Sequence, residues 1–166
     1  MEKILLGDSL LEYMGESSEY KNYAIAGSTV NDVLHRLLEV DIEEKELYLL
    51  VGINDLLSGS SIDVLKASYY NLLENIMEQD PKRVHLVSLL PLGYGFYNSN
   101  LLNSFVVDFN DFLIKRGYEY SVEFIDVHSS LLCGKYLCDR YSEDGLHLSS
   151  EGYEIFKKQL FKKKEQ

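Results

Sequence analysis

The sequence predicts an α/β protein, a three-layer α/β/α sandwich around a five-stranded parallel sheet. Two observations predict this class: short apolar runs alternate with segments of helical periodicity along the whole chain, and the connections between them are short. Parallel strands joined by helices are buried on both faces, so helices must cover the sheet on both sides. The 166 residues contain no linker, repeat or low-complexity segment, which indicates a single domain over residues 1–166.

Five segments rich in branched or aromatic residues are expected to be the strands. In chain order they are residues 3–6, 22–26, 46–51, 84–90 and 122–127. Apolar stripes at helical spacing predict helices between and after them. The stripes are Val30, Leu34, Leu37 and Leu38; Val64, Ala67, Leu72 and Ile76; Leu101, Phe105, Phe109, Phe112 and Leu113; and Tyr153, Phe156 and Leu160.

Composition narrows the class of partner. The formal charge of −11 and the pI near 4.8 argue against nucleic acid, because phosphate binding needs a basic face. No apolar run is long enough to span a bilayer, so we expect no stable membrane insertion. The first predicted strand begins too early to leave room for a secretory signal, which predicts a cytoplasmic location. The oligomeric state cannot be inferred from the sequence.

Two local features of the sequence are interpreted as structural. Cys133 and Cys138 are expected to be ordinary thiols, with too few further ligands nearby for a metal site. The basic residues concentrate at the C-terminus, and their place at the end of a helix favours dipole and solvation effects over a membrane-surface role. These are Lys157, Lys158, Lys162, Lys163 and Lys164.

Candidate functional residues follow the carboxyl ends of the predicted strands. Ser9 follows the first strand, Gly27 the second and Asn54 the third, while Asp144 and His147 lie in the long segment after the fifth. Open parallel sheets bind ligands in the crevice at the carboxyl ends of their strands. We therefore expect all five residues on one rim of the sheet.

Ser9, Asp144 and His147 supply the groups that nucleophilic acyl transfer requires. A serine hydroxyl is a weak nucleophile until a base removes its proton, and His147 is the natural base because imidazole changes protonation near neutral pH. Asp144 can accept the other ring N–H and fix the tautomer. The backbone N–H groups of Ser9 and Gly27 and the side-chain amide of Asn54 are expected to form an oxyanion hole.

Each of these residues alone also fits an ordinary structural role. Asp8 or Ser9 could cap a helix, Gly27 and Asn54 could shape turns, and Asp144 could begin a turn before the last helix. Their joint occurrence in this order favours a catalytic set. The serine motif is not the G-x-S-x-G elbow of α/β-hydrolases, and no phosphate-binding G-x-x-x-x-G-K-[ST] loop occurs.

With these blocks in place, the chain resembles the SGNH hydrolases, also called GDSL-type esterases and lipases. That family carries a serine, a glycine, an asparagine and a histidine in four spaced blocks. Here the blocks are Gly7-Asp8-Ser9-Leu10, Gly27, Gly52-Ile53-Asn54-Asp55 and Asp144-Gly145-Leu146-His147, within residues 4–153. The resemblance implies a flavodoxin-like fold, ester hydrolysis without metal or cofactor, an acyl intermediate on Ser9, and Asp144 as third triad member.

The substrate is the least determined part. Tyr94, Phe96 and Tyr97 follow the fourth strand and are candidates to line a shallow pocket with aromatic edges, since pockets are lined mainly by apolar groups. Such a pocket favours small-molecule esters with a short acyl group, such as acetyl on a sugar or a small alcohol. A lysophospholipase or thioesterase for longer acyl chains, or a relative that binds a glycan without turnover, remain alternatives.

Overall fold

The computed structural model describes residues 1–162 and has a single parallel sheet at its centre. The strands are β1 (Lys3–Gly7), β2 (Lys21–Asn22), β3 (Glu46–Leu50), β4 (Arg83–Val87) and β5 (Glu123–Ile125), in the order β2-β1-β3-β4-β5. The chain moves outward from β1 to β2 and then returns to β3 on the other side of β1. This reversal between β1 and β3 is where an open α/β sheet forms its ligand crevice. The predicted fold class is confirmed.

The helices connect these strands and cover the sheet. They are α1 (Ser9–Glu12), α2 (Val30–Arg36), α3 (Ile53–Leu57), α4 (Ile62–Met77), α5 (Ser99–Tyr120) and α6 (Ser150–Leu160). Helix α4 packs against both α2 and α5. None of the helices within residues 1–162 is long and apolar enough to cross a membrane. Lys163 and Lys164 of the basic C-terminus lie outside the described residues.

Strand β4 is shorter than the sequence predicts. The prediction extends to residue 90, but the strand ends at Val87, although the following residues are still buried. Two asparagines of α5 replace the neighbouring strand. Asn110 bonds both backbone groups of Leu89 at 2.8 and 3.0 Å, and Asn103 does the same for Leu92. The side-chain amides satisfy a buried backbone that has left the sheet, as burial requires.

Strand β2 departs furthest from its prediction. Residues 22–26 were expected, whereas the strand comprises only Lys21–Asn22. The side chain of Asn22 accepts the N–H of Ala24 at 3.1 Å and donates to the carbonyl of Leu11 at 2.9 Å. Tyr23 and Ile25 still donate their N–H groups to the carbonyls of Leu5 and Gly7 on β1, at 2.9 and 3.1 Å, so the chain stays alongside β1 after the regular strand ends. The result is an irregular segment that leads towards Gly27.

Four residues assigned to the apolar stripes of the helices lie on the wrong face. Leu38, Val64, Ala67 and Leu101 are exposed, and the buried face of α4 is formed by Leu65, Tyr69, Leu72, Leu73 and Ile76. The helix positions are nevertheless confirmed, with α3 as an additional short helix. A one-residue error turns a stripe by about 100°, since a helix has roughly 3.6 residues per turn.

The segment between β5 and α6 contains structure that the sequence did not indicate. Short 3₁₀ helices at Ser129–Leu131 and Asp139–Tyr141 flank an antiparallel hairpin of β6 (Leu132–Cys133) and β7 (Tyr136–Leu137). The hairpin joins Cys133 and Cys138 in a disulfide, with Cα atoms 4.8 Å apart. The expectation of two ordinary thiols is therefore wrong, because the turn brings the side chains together.

Candidate active site

Ser9 lies at the junction of β1 and α1, as the first residue of the helix. Asp8 caps this helix, with Oδ1 accepting the N–H of Leu10 at 3.0 Å. Gly7 is required at the end of β1, because a Cβ there would collide with the carbonyl oxygen of Leu50 on β3. Ser9 is only 8% exposed, yet its Oγ makes no hydrogen bond within residues 1–162.

The Gly27 turn follows a segment that is bonded to the end of β1, since Ile25 donates its N–H to the carbonyl of Gly7 at 3.1 Å. Gly27 has a φ of +78°, a left-handed conformation that favours glycine. Asn54, in the first turn of α3, donates from Nδ2 to the carbonyl of Ser28 at 3.0 Å. Asp55 accepts the N–H of Val30 at 3.1 Å, so α3 also holds the start of α2. Through these contacts the ends of β1, β2 and β3 meet.

Donors suited to an oxyanion remain uncommitted at this junction. Neither the N–H of Ser9 nor the N–H of Gly27 has an acceptor among residues 1–162. The Asn54 amide commits one N–H to Ser28, and a primary amide carries two. Preorganised donors of this kind stabilise the negative charge that develops on a carbonyl oxygen during acyl transfer.

Asp144 and His147 form a hydrogen-bonded pair on the segment before α6. Nδ1 of His147 lies 2.6 Å from Oδ2 of Asp144. The other carboxylate oxygen accepts the N–H groups of Leu146 and His147 at 2.8 and 2.7 Å, and it also accepts a hydrogen bond from Ser142 Oγ. This arrangement orients the ring and leaves its Nε2 unbonded within the described chain.

These contacts also set the charge of Asp144. Partial burial acts to raise its pKa, but the hydrogen bonds from the His147 ring and from the backbone amides outweigh burial and lower the pKa to about 2. The carboxylate is therefore ionised at neutral pH. An ionised partner on Nδ1 favours the tautomer in which Nε2 can accept a proton.

Two aromatic residues connect the histidine segment with the serine helix. The ring of Tyr13 lies 5.4 Å from the ring of His147, measured between centroids. The backbone N–H of Tyr13 donates to the carbonyl of Ser9. Tyr153 of α6 donates from its hydroxyl to the carbonyl of Leu10 at 2.8 Å. No hydrogen bond joins Ser9 to His147 among residues 1–162, and catalytic hydrogen bonds often tighten only when substrate binds.

Asp8 is a second unusual carboxyl group. It is fully buried, and its Oδ2 has no hydrogen-bond partner within residues 1–162. Burial raises the pKa of Asp8 to about 7, while the N–H of Leu10 and the nearby His147 act to lower it.

The aromatic loop predicted as a pocket lies next to the histidine segment. Gly93 donates its N–H to the carbonyl of Gly145 at 2.8 Å. Tyr94 and Tyr97 are 76% and 83% exposed, whereas Phe96 packs against the core. A separate polar cavity of about 620 Å³ has Asp144 and His147 in its wall, together with Arg140, Glu143, Leu148, Ser149, Ser150 and Glu151. The three aromatic residues do not line this cavity.

Two residues near the site were not identified from the sequence. Tyr13 is four positions after Ser9, so helical spacing could have placed it on the same face. Arg36 reaches back from the end of α2 to the carbonyl of Gly7, a contact across 29 positions for which the sequence carries no signal. Within residues 1–162, no group of three or more His, Cys, Asp or Glu side chains could hold a metal ion.

Known proteins resemble this chain in fold and in sequence. A GDSL-like lipase from Bacteroides thetaiotaomicron superposes with a TM-score of 0.80 at 18% identity, covering 95% of this chain and 84% of that one. A catalytic mutant of an acetylxylan esterase from Geobacillus stearothermophilus gives a TM-score of 0.73 at 15% identity, covering 93% and 90% of the two chains.

Sequence relatives extend beyond this domain. An N-acylneuraminate cytidylyltransferase from Streptococcus agalactiae is 25% identical over 159 residues, which is 95% of this chain but only 37% of that protein. The chain thus spans little more than a third of the curated relatives that it matches. The model of the GDSL-like lipase/acylhydrolase family matches residues 5–155, so the chain belongs to this family.

Proposed function

We propose that the protein is a serine esterase in which Ser9, His147 and Asp144 form the catalytic triad. The observation that carries this proposal is the His147–Asp144 pair at 2.6 Å, which leaves Nε2 unbonded on the segment tied to the serine helix. The serine-to-alanine catalytic mutant of the acetylxylan esterase neighbour also supports a serine nucleophile.

In the proposed reaction, Ser9 Oγ attacks the ester carbonyl carbon while His147 Nε2 takes the hydroxyl proton. The oxyanion accepts hydrogen bonds from the N–H groups of Ser9 and Gly27 and from Asn54. His147 then gives its proton to the departing alcohol, leaving an acyl group on Ser9. Water, deprotonated by the same imidazole, attacks this acyl-enzyme, and the acid leaves as the proton returns to Ser9.

We propose short acyl esters of a sugar or small alcohol as substrates. Two similar proteins are named for acylated sugars, since acetylxylan is an acetylated polysaccharide and N-acylneuraminate is an N-acylated sugar acid. The exposed Tyr94 and Tyr97 offer flat apolar surfaces of the kind on which sugar rings pack. We do not extend cytidylyl transfer to this chain, because the match covers only 37% of that relative.

Covalent labelling tests the triad. A fluorophosphonate should form a phosphonyl ester on Ser9 Oγ with loss of fluoride, which intact mass and peptide mapping would detect as one adduct. Ser9→Ala and His147→Ala should not be labelled, whereas Ser104→Ala, an exposed serine on α5, should be labelled like the native protein. Labelling that persists in Ser9→Ala would exclude this mechanism.

A series of model esters with acyl chains of increasing length tests the substrate. The proposal expects the highest kcat/KM for acetyl esters. A maximum at long acyl chains would favour a lysophospholipase or thioesterase instead, and a folded protein with neither turnover nor labelling would favour a glycan-binding relative.

The organisation of residues 1–166 as one domain and the cytoplasmic location also stay predictions. Disulfides are more usual in oxidising compartments, so the Cys133–Cys138 pair weighs against the cytoplasmic prediction. Alkylation of the protein in intact cells, followed by a mass count of modified thiols, would test that prediction.

A further inference from the structure

We propose that Arg36 is a positioning residue that sets the geometry of the oxyanion hole. Its guanidinium connects the end of β1, which leads into Ser9, with the turn that carries Gly27. This inference rests on the proposed function, because it assigns Arg36 to the alignment of the Ser9 and Gly27 amides. Nothing in the sequence motifs points to this residue.

The contacts of Arg36 define the connection. As the last residue of α2, it donates from Nη1 to the carbonyl of Gly7 at 3.2 Å and from Nη2 to Ser28 Oγ at 2.8 Å. Gly7 is two positions before Ser9, and Ser28 directly follows Gly27. One planar group therefore spans the two backbone segments that contribute N–H donors to the oxyanion hole.

The acceptor Ser28 is buried and is held by several hydrogen bonds. It is 3% exposed, and its Oγ donates to the carbonyl of Ile25 at 2.7 Å while accepting from Arg36. Its carbonyl accepts from Asn54, the third oxyanion donor. Arg36 thus acts on Ser28 at the point where all three donors are connected, so a displacement of the guanidinium would be transmitted to each of them.

The charge of Arg36 is not used in an ion pair. Within residues 1–162 no carboxylate lies within 4.0 Å of its guanidinium, and both acceptors are neutral. Partial burial lowers the pKa of Arg36, while Asp32 and Glu12 act from longer range to raise it. A rigid fork holds its donors at fixed positions and suits two acceptors on different segments, whereas an ammonium group is a single point of charge on a flexible stem.

A free guanidinium ion can take the place of the Arg36 side chain once that side chain is truncated. It lies in the wall of a cavity of about 510 Å³, formed with Asn22, Tyr23, Ala24, Ile25, His35, Glu39 and Val40. This cavity is an open cleft in contact with solvent. A free guanidinium ion can therefore reach the space that truncation of the side chain would leave.

The experiment compares Arg36→Ala and Arg36→Lys with Arg116→Ala on an acetyl ester. Arg116 is a matched control on α5, where its guanidinium lies 5.1 Å from the ring of Phe112 and 5.7 Å from that of Tyr70. We expect kcat of Arg36→Ala to fall by at least ~10-fold with KM nearly unchanged, because the lost alignment affects the transition state. The kcat of Arg36→Lys should lie between those of Arg36→Ala and the native protein. Added guanidinium ion should raise the kcat of Arg36→Ala and of no other variant.

Arg116→Ala should lower the melting temperature and leave kcat within about twofold, since it removes ring packing and an ion pair with Glu119, and none of these contacts involves a site residue. A kcat of Arg36→Ala within twofold of the native value would overturn the proposal, as would a loss that guanidinium does not reverse. If Arg36→Ala does not fold, Arg36→Lys decides alone, and a native kcat in that variant overturns the proposal.

Ser9→Ala, measured in parallel, separates this inference from the proposed function. If Ser9→Ala retains turnover, the serine mechanism fails and Arg36 loses its assigned role with it. If Ser9→Ala is inactive while Arg36→Ala is fully active, the mechanism stands and only the positioning role is wrong.

Discussion

His147 and His85 each lie at hydrogen-bonding distance from carboxylates, but the two side chains differ in their place in the fold and in their exposure to solvent. His147 lies near the carboxyl ends of the strands, with its side chain 34% exposed and Nδ1 2.6 Å from Asp144. His85 lies within β4 with its side chain 7% exposed, and its Nε2 and Nδ1 are 2.8 and 2.9 Å from Glu46 and Glu123.

The difference lies in the nitrogen that remains available. Both ring nitrogens of His85 face carboxylates, and the ring stacks on Tyr48 at 4.3 Å, so it has no nitrogen with which to accept a proton from a substrate. Burial acts to raise the pKa of Glu46, but the hydrogen bond and charge of His85 outweigh it and lower the pKa. An imidazole between two carboxylates stabilises a structure, whereas an imidazole with one carboxylate and a free Nε2 can act as a base.

Replacing each histidine by alanine should give the largest difference in turnover between two variants. His147→Ala should reduce kcat/KM by at least ~10⁴-fold, because the serine loses its base. His85→Ala should leave kcat/KM within a few-fold but lower the free energy of unfolding by roughly 3 kcal/mol, because it removes the imidazole partner of the buried Glu46 carboxylate. Ester kinetics and chemical denaturation of both variants test this. Similar kinetic losses in the two would contradict the distinction between a catalytic and a structural histidine.

Asp144→Asn tests the carboxylate of the catalytic pair. The change keeps the side-chain shape but removes the acceptor that fixes the His147 tautomer, so kcat should fall by about 10⁴-fold. Because the pKa of Asp144 is lowered to about 2, the stability that its ionised form contributes is complete above about pH 4 and is lost as the pH falls through about 2. The native protein should therefore lose more stability in that acid range than the variant, which keeps the other carboxylates of lowered pKa. Asp126→Asn, which alters a carboxylate near Ser129, is the control for turnover.

Asn54→Ala should have a smaller effect, a loss of roughly 10²–10³-fold in kcat with little change in KM, as for removal of one oxyanion donor. The matched control is Asn75→Ala on α4, whose amide bonds no residue other than Asn71 among residues 1–162. Steady-state kinetics with an acetyl ester distinguish the two. A loss expressed entirely in KM would mean that Asn54 binds the substrate in its ground state and does not act on the oxyanion.

Parts of the site and of the fold could be predicted from the sequence, and others depend on contacts that form only on folding. Ser9 and Asn54 could be assigned to one rim because the carboxyl ends of neighbouring parallel strands must meet there. The early end of β4 could not be predicted, because it depends on Asn103 and Asn110 of a later helix. The contact of Arg36 with Gly7 likewise exists only after folding. The sequence therefore does not distinguish Arg36 from any other basic residue at the end of a helix.

Cys133 and Cys138 show another limit. Five positions separate them, and the sequence offered no reason to expect a hairpin in the segment after β5. Pairing depends on the turn that begins at Gly134, which the residue types alone do not distinguish from an open loop. Local geometry, and not the spacing of the cysteines, determines whether they meet.

Asp8→Asn should have the smallest effect on turnover and sharpens the comparison with Asp144, since Asp8 is buried without an imidazole partner. Asn retains the oxygen that caps α1, so kcat at pH 6 should stay within about threefold. Because burial raises the pKa of Asp8 to about 7, the folded protein holds a proton between pH 4 and 7 that the unfolded chain releases. Native stability should thus decline as the pH rises through this range, and the variant should decline less. Denaturation curves at pH 5, 6, 7 and 8 decide this, because parallel pH profiles for the two proteins would mean that Asp8 is already ionised in the fold and that His147 offsets its burial.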